Sequence, residues 1–367
     1  MKHIVIDARI ITSSTGRYVE RLLHYLEKMD GNNTDGRKYT VLVRQAGDWQ
    51  ASSDAFKVVE ADVADFSFDE QLKLYKIIKD LKPDVVHFTM PQYPLLTDAR
   101  GFVRINTIHD LTMLDQKHRH WGFPVDQIKR QVFRGVMNRA AKANTVLVPS
   151  RHVKVEILKR YSVDPSHVSV TYESADKLDV ASKRYEPMKR KRFIFYVGSV
   201  TPYKNVRRLI EAFELLKINH PDLNLLIVGK KNRFHEELHQ IVDSRGVPDV
   251  HFTGFVPDPQ LAWLYENAEC YVFPSLSEGF GLPGLEAMQY GCPVASSNAT
   301  CLPEVYGPAA HYFDPLDIED MNRAIDDVLT NSSLRKKLVI SGRKQLDKYS
   351  WERMAAQTLQ VYKKLLD

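Results

Sequence analysis

Short apolar runs recur along the chain, separated by stretches whose apolar positions fall three and four residues apart. In the first half the runs are His3 to Ile6, Tyr39 to Val43, Asp84 to Phe88, Arg104 to Ile108, Thr145 to Val148 and Val168 to Thr171. Between them Leu22 to Leu26, Leu72 to Leu81 and Ile128 to Ala141 carry helical spacing. Runs this short and this apolar suit strands buried on both faces, so the alternation predicts an α/β domain with a doubly wound parallel sheet. The second half repeats the scheme with strands at Phe193 to Val197, Leu223 to Val228, Val250 to Phe252, Cys270 to Phe273 and Val294 to Ser296, and helices at Val206 to Asn219 and His235 to Ser244. Asp176 to Arg192 is charged and lacks apolar periodicity, which reads as a linker. The expected division is therefore 1–180 and 190–349. The last segment, Trp351 to Leu366, is a helix with Met354, Leu359, Tyr362 and Leu366 on one face.

Composition agrees with two ordinary cores: 367 residues, 44% hydrophobic and 26% charged. No apolar run approaches the roughly 18 residues of a membrane span, and from the strand-like MKHIVID opening neither a signal peptide nor a membrane anchor is expected. Cys270, Cys292 and Cys301 show no paired metal or redox spacing and lie in or beside apolar segments. Buried thiols in a reduced, cytoplasmic setting are expected. The net charge of +5 is uneven, because Lys117 to Arg160 holds eleven Lys or Arg against Asp126 and Glu156. With Trp121, Phe123, Val132, Phe133, Val136 and Met137 among them, these residues read as a basic amphipathic helix pair. That pair is either a solvated face or a surface for an anionic membrane at 117–160. No nucleic-acid-binding module accompanies the charge, and nucleic acid is not an expected partner.

The stretch Phe273 to Gly291, FPSLSEGFGLPGLEAMQYG, carries the densest chemical pattern. A strand end is followed by a loop with Gly279 and Gly281, and Pro283 suits the first helical residue. A strand, a glycine loop and a helix start place unpaired N–H groups and a positive dipole end at one sheet mouth, which suits an anionic or polyhydroxylated ligand. Glu278 and Glu286, eight positions apart, can accept from vicinal hydroxyls. Each alone could be an ordinary acid near a helix start. Elsewhere Gly198-Ser199 ends a strand and Lys204-Asn205 precedes a helix, so that Lys204 can face a diphosphate. His109-Asp110 follows a strand at the edge where parallel sheets bind ligands. Gly229 and Gly254 follow further strand ends and could be plain turn residues. No cluster of ligands has metal spacing, and no serine-elbow motif is present.

The segment Glu278-Gly-Phe-Gly-Leu-Pro-Gly-Leu-Glu286-Ala resembles the E-x7-E signature of the retaining glycosyltransferases of family 4, which have the GT-B fold. Gly198-Ser199 through Lys204-Asn205 resembles that family's G-[S/R]-x-x-x-x-K-N block, in which the Ser or Arg and the Lys hold the donor diphosphate; Ser199 leaves one cation fewer than the Arg variants have. Val228-Gly229-Lys230 and Phe252-Thr-Gly254-Phe-Val256 resemble its nucleobase-contacting loops. Thr107-Ile-His109-Asp110 is similar to the segment whose His faces the donor sugar. The loop before Gly16-Arg17-Tyr18 resembles the family's G-x-G-R-Y loop, with Ser14 in place of the first glycine.

The resemblance spans nearly the whole chain and implies two facing Rossmann-like domains, the active site in the cleft between them, and a C-terminal helix, 350–367, crossing back to the first. It implies catalytic roles for His109, Asp110, Glu278 and Lys204. It implies donor contacts from Gly16, Ser199, Lys204, Asn205, Gly229, Val256, Glu278, Gly279, Phe280, Gly281, Leu282 and Glu286. The implied reaction moves a hexose from a nucleotide diphosphate sugar to a glycan or glycolipid hydroxyl with retention, without metal or other cofactor. The subgroup resembled is the mannosyltransferases that use GDP-mannose. Tyr203 stands where that subgroup often has Arg, so a UDP-hexose donor stays open. A nucleotide-sugar epimerase and a non-catalytic subunit of a glycan-assembly complex also stay open. The expected location is cytoplasmic, at the inner membrane face if the basic segment docks there.

Overall fold

The computed structural model describes residues 1–13, 15–32, 35–64, 67, 69–93, 101–115 and 125–367, and only the backbone of 115 and 125–129. Ser14, Trp121 and Phe123 lie outside the described residues or their side chains. The chain divides into two compact units, Met1–Glu173 with Ser350–Asp367, and Ser174–Tyr349. The charged stretch read as a linker falls inside the second unit: Lys183 donates to the Pro259 carbonyl and Leu178 to the Tyr290 hydroxyl.

Among the described residues the first unit has seven strands: β1 (Lys2–Asp7), β2 (Arg37–Val43), β3 (Phe56–Glu60), β4 (Val85–Phe88), β5 (Val103–Thr107), β6 (Thr145–Val148) and β7 (Val168–Val170). They lie in the order β3-β2-β1-β4-β5-β6-β7, every pair parallel. β1 and β4 are buried almost throughout because helices cover both faces. The helix Gly16–Asp30 buries Val19, Leu22, Leu23 and Leu26, and the helix Trp351–Leu366 packs beside it. That last helix buries Met354, Leu359 and Tyr362, the face its apolar spacing predicts, and so belongs to the first unit. The predicted helix at Leu72 to Leu81 begins as a π-turn, Glu70–Leu74, before the α-helix Tyr75–Leu81.

The helices Val125–Ala140 and Arg151–Arg160 realise the basic pair. Val136, Met137, Val153 and Ile157 are buried in one cluster with Ile108 and Val146, and Phe133 packs against it. This apolar stripe therefore closes the core, and Arg134, Lys142, Arg151 and Lys159 remain exposed.

The second unit has six strands among the described residues: β8 (Arg192–Val197), β9 (Leu223–Val228), β10 (Val250–Gly254), β11 (Cys270–Phe273), β12 (Val294–Ser297) and β13 (Ala310–Phe313). Their order is β10-β9-β8-β11-β12-β13, again all parallel. Phe195, Tyr265 and Tyr271 pack edge to face in its core, which raises the contact energy above simple area burial. The three cysteines are free and buried. No helix among the described residues is long and apolar enough to cross a membrane.

Both sheets change winding direction once, between β1 and β4 and between β8 and β11. At such a switch point the connections leave the carboxyl ends of adjacent strands on opposite faces, opening a crevice where open α/β sheets bind ligands. Every predicted site residue except Val256 lies in the segment that follows one of these four strands or a strand directly beside them.

Candidate active site

In the second unit, β8 and β11 are hydrogen-bonded neighbours, with Cys270 opposite Ile194 and Tyr271 opposite Phe195. Their following loops therefore meet, although they are far apart in sequence. The Leu276 N–H donates to the Tyr203 carbonyl at 2.8 Å and ties one loop to the other. Lys204 ends the turn Pro202–Lys204, and its Nζ lies 2.7 Å from Glu278 Oε1. The ammonium also stands over the rings of Tyr203 and Phe273 at 5.1 and 5.6 Å. Burial alone would favour the neutral amine, but the Glu278 carboxylate outweighs it and holds Lys204 charged, well above its ordinary range.

Glu278 is fixed from behind. Its N–H donates to Thr300 Oγ1 at 3.1 Å, and its carbonyl accepts from Cys301 Sγ. The glycines beyond it have a steric cause. Gly281 sits at φ +96°, and a Cβ there would fall 2.6 Å from the Tyr306 hydroxyl. At Gly284 a Cβ would fall 2.3 Å from the Tyr306 ring. Tyr306 is fully buried and donates to the Gly281 carbonyl, so it forms the floor on which the loop and helix start rest. The helix runs Leu282–Gln289, making Pro283 its second residue rather than its first.

Two helices begin at this edge, and neither has a side-chain cap. Gly281 has no side chain to offer, and Asn205, at φ 60°, turns its amide inward. Asn205 Nδ2 donates to the carbonyls of Pro274 and Pro315, and its Oδ1 accepts from Arg208. Asn205 thus ties three loops together from a buried position, instead of presenting its side chain to a ligand. Pro283 has no N–H and the Gly284 N–H meets the Tyr306 hydroxyl, so the second helix offers chiefly its Leu282 N–H; both starts keep the positive dipole end toward an anion.

Around this centre, Ser199 is exposed, and its carbonyl accepts from the Tyr196 hydroxyl. Gly229 is not a plain turn residue: a Cβ there would lie 2.1 Å from the Gly198 carbonyl oxygen, so the ends of β8 and β9 approach too closely for any other residue. Val256 is buried just past β10. Phe280 is buried edge-on against Tyr349 at 5.4 Å. Gly279 and Leu282 complete the loop around Glu278. Glu286, half-buried, accepts from the Tyr265 hydroxyl at 3.1 Å.

In the first unit, Gly16 starts its helix beneath the loop from β1, where a Cβ would fall 1.8 Å from the Ile11 carbonyl oxygen. His109 follows β5. Its Nδ1 lies 3.1 Å from Glu173 Oε1 and its Nε2 lies 2.9 Å from the Thr89 carbonyl oxygen. The Tyr18 ring meets it edge-on at 4.8 Å. Burial opposes charge on His109, yet the hydrogen bond and field of Glu173 hold its affinity for a proton above the ordinary imidazole value. Asp110, given a supporting role from the sequence, uses its carboxylate to accept from the Thr112 N–H. The group that touches His109 is Glu173 instead. Glu173, Tyr306, Thr300 and Tyr265 escaped the sequence reading because each lies 20 or more residues from the group it holds. No local spacing marks them.

Comparison with known proteins follows these same residues. Residues 16–176 match the family model Glycosyltransferase Family 4, and residues 179–345 match Glycosyl transferases group 1. The chain is 31% identical over 275 residues to the O-antigen chain mannosyltransferase B of Escherichia coli, covering 71% of this chain and 70% of that protein. It is 30% identical over 310 residues to the serotype-specific mannosyltransferase WbdA of the same organism, of whose length it spans only 38%. Among solved structures, sucrose-phosphate synthase from Thermosynechococcus elongatus superposes with a TM-score of 0.74 at 18% identity, over 100% of this chain and 99% of that one. That likeness speaks for the fold alone. Taken with the family matches and the relatives' identity, the chain belongs to glycosyltransferase family 4, with the GT-B fold and a mannosyltransferase-like sequence.

Proposed function

We propose that this glycosyltransferase moves mannose from GDP-mannose to a hydroxyl of a glycan or glycolipid, with retention at the anomeric carbon and without a metal ion. The observation that carries the reading is the Lys204–Glu278 pair between two uncapped helix starts at the switch point of the second sheet. The donor reading draws on the relatives, which are mannosyltransferases by name.

In this reaction the bond between the anomeric carbon and the β-phosphate oxygen breaks, and the diphosphate leaves with that electron pair. Lys204, Ser199 and the two helix N-termini stabilise the developing phosphate charge, the kind of preorganised field that supplies most of a transferase's rate. Glu278 and the backbone of Gly279 to Leu282 hold the sugar hydroxyls, and Glu286 accepts from the ribose hydroxyls. Gly229 and Val256 border the base. The acceptor hydroxyl attacks the same face, and its proton passes to the departing phosphate. No nucleophile of the protein is required. His109 is the remaining catalytic residue. The reaction would take place at the cytoplasmic membrane face, with Arg134, Lys142, Arg151 and Lys159 meeting anionic headgroups by charge alone.

A thermal-shift panel of GDP, UDP and ADP, each with and without EDTA, tests the reading. A diphosphate at 100 times its dissociation constant adds about 2.7 kcal/mol to stability. GDP is expected to raise the melting temperature most, and EDTA to leave the shift unchanged. A flat response to all three nucleotides overturns the donor site, and a preference for UDP overturns the choice of GDP.

A further inference from the structure

The environment of His109 contains a constraint that its sequence motif does not disclose. A neutral imidazole has one N–H donor and one bare nitrogen acceptor. Here both nitrogens face acceptors: Nδ1 the Glu173 carboxylate at 3.1 Å, and Nε2 the Thr89 carbonyl oxygen at 2.9 Å. Either neutral tautomer would set a ring lone pair against an oxygen lone pair inside a site that excludes most water. With Glu173 ionised, only the doubly protonated ring satisfies both.

We propose that Glu173 is a positioning residue that keeps His109 as an imidazolium, so that the ring acts in sugar transfer as a fixed positive charge and never as a general base. The part of this concerning transfer rests on the glycosyltransferase reading; the protonation state does not.

The surroundings are consistent with it. Thr89 is itself anchored, its hydroxyl donating to the Asp7 carbonyl at 2.6 Å, so the acceptor facing Nε2 cannot swing away. The other titratable groups about the ring divide in sign. Asp110, beside it in sequence, favours the charge. His87, on β4, would oppose it if charged, but burial pushes His87 down to about 3, so it stays neutral. His87 is placed between the Tyr362 hydroxyl at 2.6 Å and the Thr107 hydroxyl at 2.8 Å, both of which can serve a neutral ring. Tyr18, edge-on to His109, is hydrogen-bonded to the same Thr107 hydroxyl, and burial keeps its phenol protonated. Two carboxylates, one carbonyl and otherwise neutral neighbours thus make a stable home for a cation. His87, on β4, and His109, just past the neighbouring β5, thus differ in protonation state through burial at one and hydrogen-bond partners at the other.

The decisive experiment is nitrogen-detected NMR on the full chain labelled at histidine, with His109 assigned by the signals missing in His109→Gln. The wild type is expected to show the two similar nitrogen shifts of an imidazolium at neutral pH. In Glu173→Gln those signals are expected to lose one proton and to split into a donor and an acceptor nitrogen, while Glu173→Asp keeps the imidazolium. Circular dichroism confirms that each variant folds, and the wild-type spectrum decides even if Glu173→Gln does not. A neutral His109 in the wild type, or an imidazolium unaltered by Glu173→Gln, overturns the proposal. A second readout is the pH profile of kcat. Wild-type turnover should not follow a histidine titration near neutrality, whereas turnover of Glu173→Gln should fall as pH rises through about 6.5, with KM little changed. Identical profiles for the two proteins also overturn it. Absence of any sugar transfer by the wild type would count against the functional reading and leave the NMR test intact.

Discussion

Each unit of this transferase sets one cation against one carboxylate at the carboxyl edge of its parallel sheet, but the two pairs differ in what they leave over. Lys204 has three N–H donors, and Glu278 takes one of them among the described residues. The pair sits between two helix starts without side-chain caps. His109 has two ring nitrogens, and Glu173 and Thr89 take both. A pair with donors to spare can exchange partners with an incoming diphosphate. A pair whose donors are all engaged can supply only its charge. A cation set against a carboxylate at the carboxyl edge of a parallel sheet thus serves as a binding group in one unit and as a fixed field in the other.

Removing the cation of the open pair should have the largest effect. Lys204→Ala is expected to lower kcat by roughly 10²- to 10³-fold, the cost of losing a donor aimed at developing charge. It also strands Glu278 in a part-buried site, so stability should fall with it, and Lys204→Ala with Glu278→Gln should recover stability without recovering turnover. A double-mutant cycle on steady-state rates and urea midpoints separates the two effects. Recovery of turnover in the double variant would mean that the lysine serves only the pair.

The floor of the open pair comes next. Gly284→Ala would drive a methyl group against the Tyr306 ring, and overpacking of this kind costs about 1–3 kcal/mol. The melting temperature should drop, and nucleotide affinity with it, because the loop carrying Glu278 rides on Tyr306 through Gly281. Tyr306→Phe removes only the hydrogen bond to Gly281 and should cost about 1 kcal/mol. Equal stability in Gly284→Ala and the wild type would show that the floor yields.

The smallest effect belongs to the closed pair and depends on pH. His109 binds its proton more tightly in the folded than in the unfolded protein, with burial opposing and Glu173 more than compensating. Its stabilising contribution is therefore fully present below the unfolded value of about 6.5 and disappears as pH rises through the higher folded value. The stability gap between wild type and Glu173→Gln, read from urea melts, should be wide at low pH and narrow in mildly alkaline solution. A gap independent of pH would assign Glu173 a purely packing role.

Much of the fold was legible because buried parallel strands announce themselves as short apolar runs, and eleven of the thirteen strands among the described residues coincide with such runs. The two that were missed, β3 (FKVVE) and β13 (AHYF), are edge strands, half open to solvent. Within the site, the glycines, Lys204 and the two glutamates could be found because loop and helix chemistry binds them to fixed local spacings. What holds them in place could not. Tyr306 beneath Gly281, Thr300 behind Glu278 and Glu173 beside His109 reach their partners through the order of strands in a sheet, which leaves no periodic mark. Asn205 illustrates the same limit from the other side: its motif position suggests a ligand contact, while its geometry gives it two proline carbonyls to hold.

Calorimetric titration of GDP-mannose into the wild type and into Lys204→Ala measures what the lysine contributes to donor binding. Saturable binding to the wild type, weakened at least about tenfold by loss of the lysine, a difference of about 1.4 kcal/mol, is the predicted result. Equal affinity for both proteins, or no heat from either, would contradict the account.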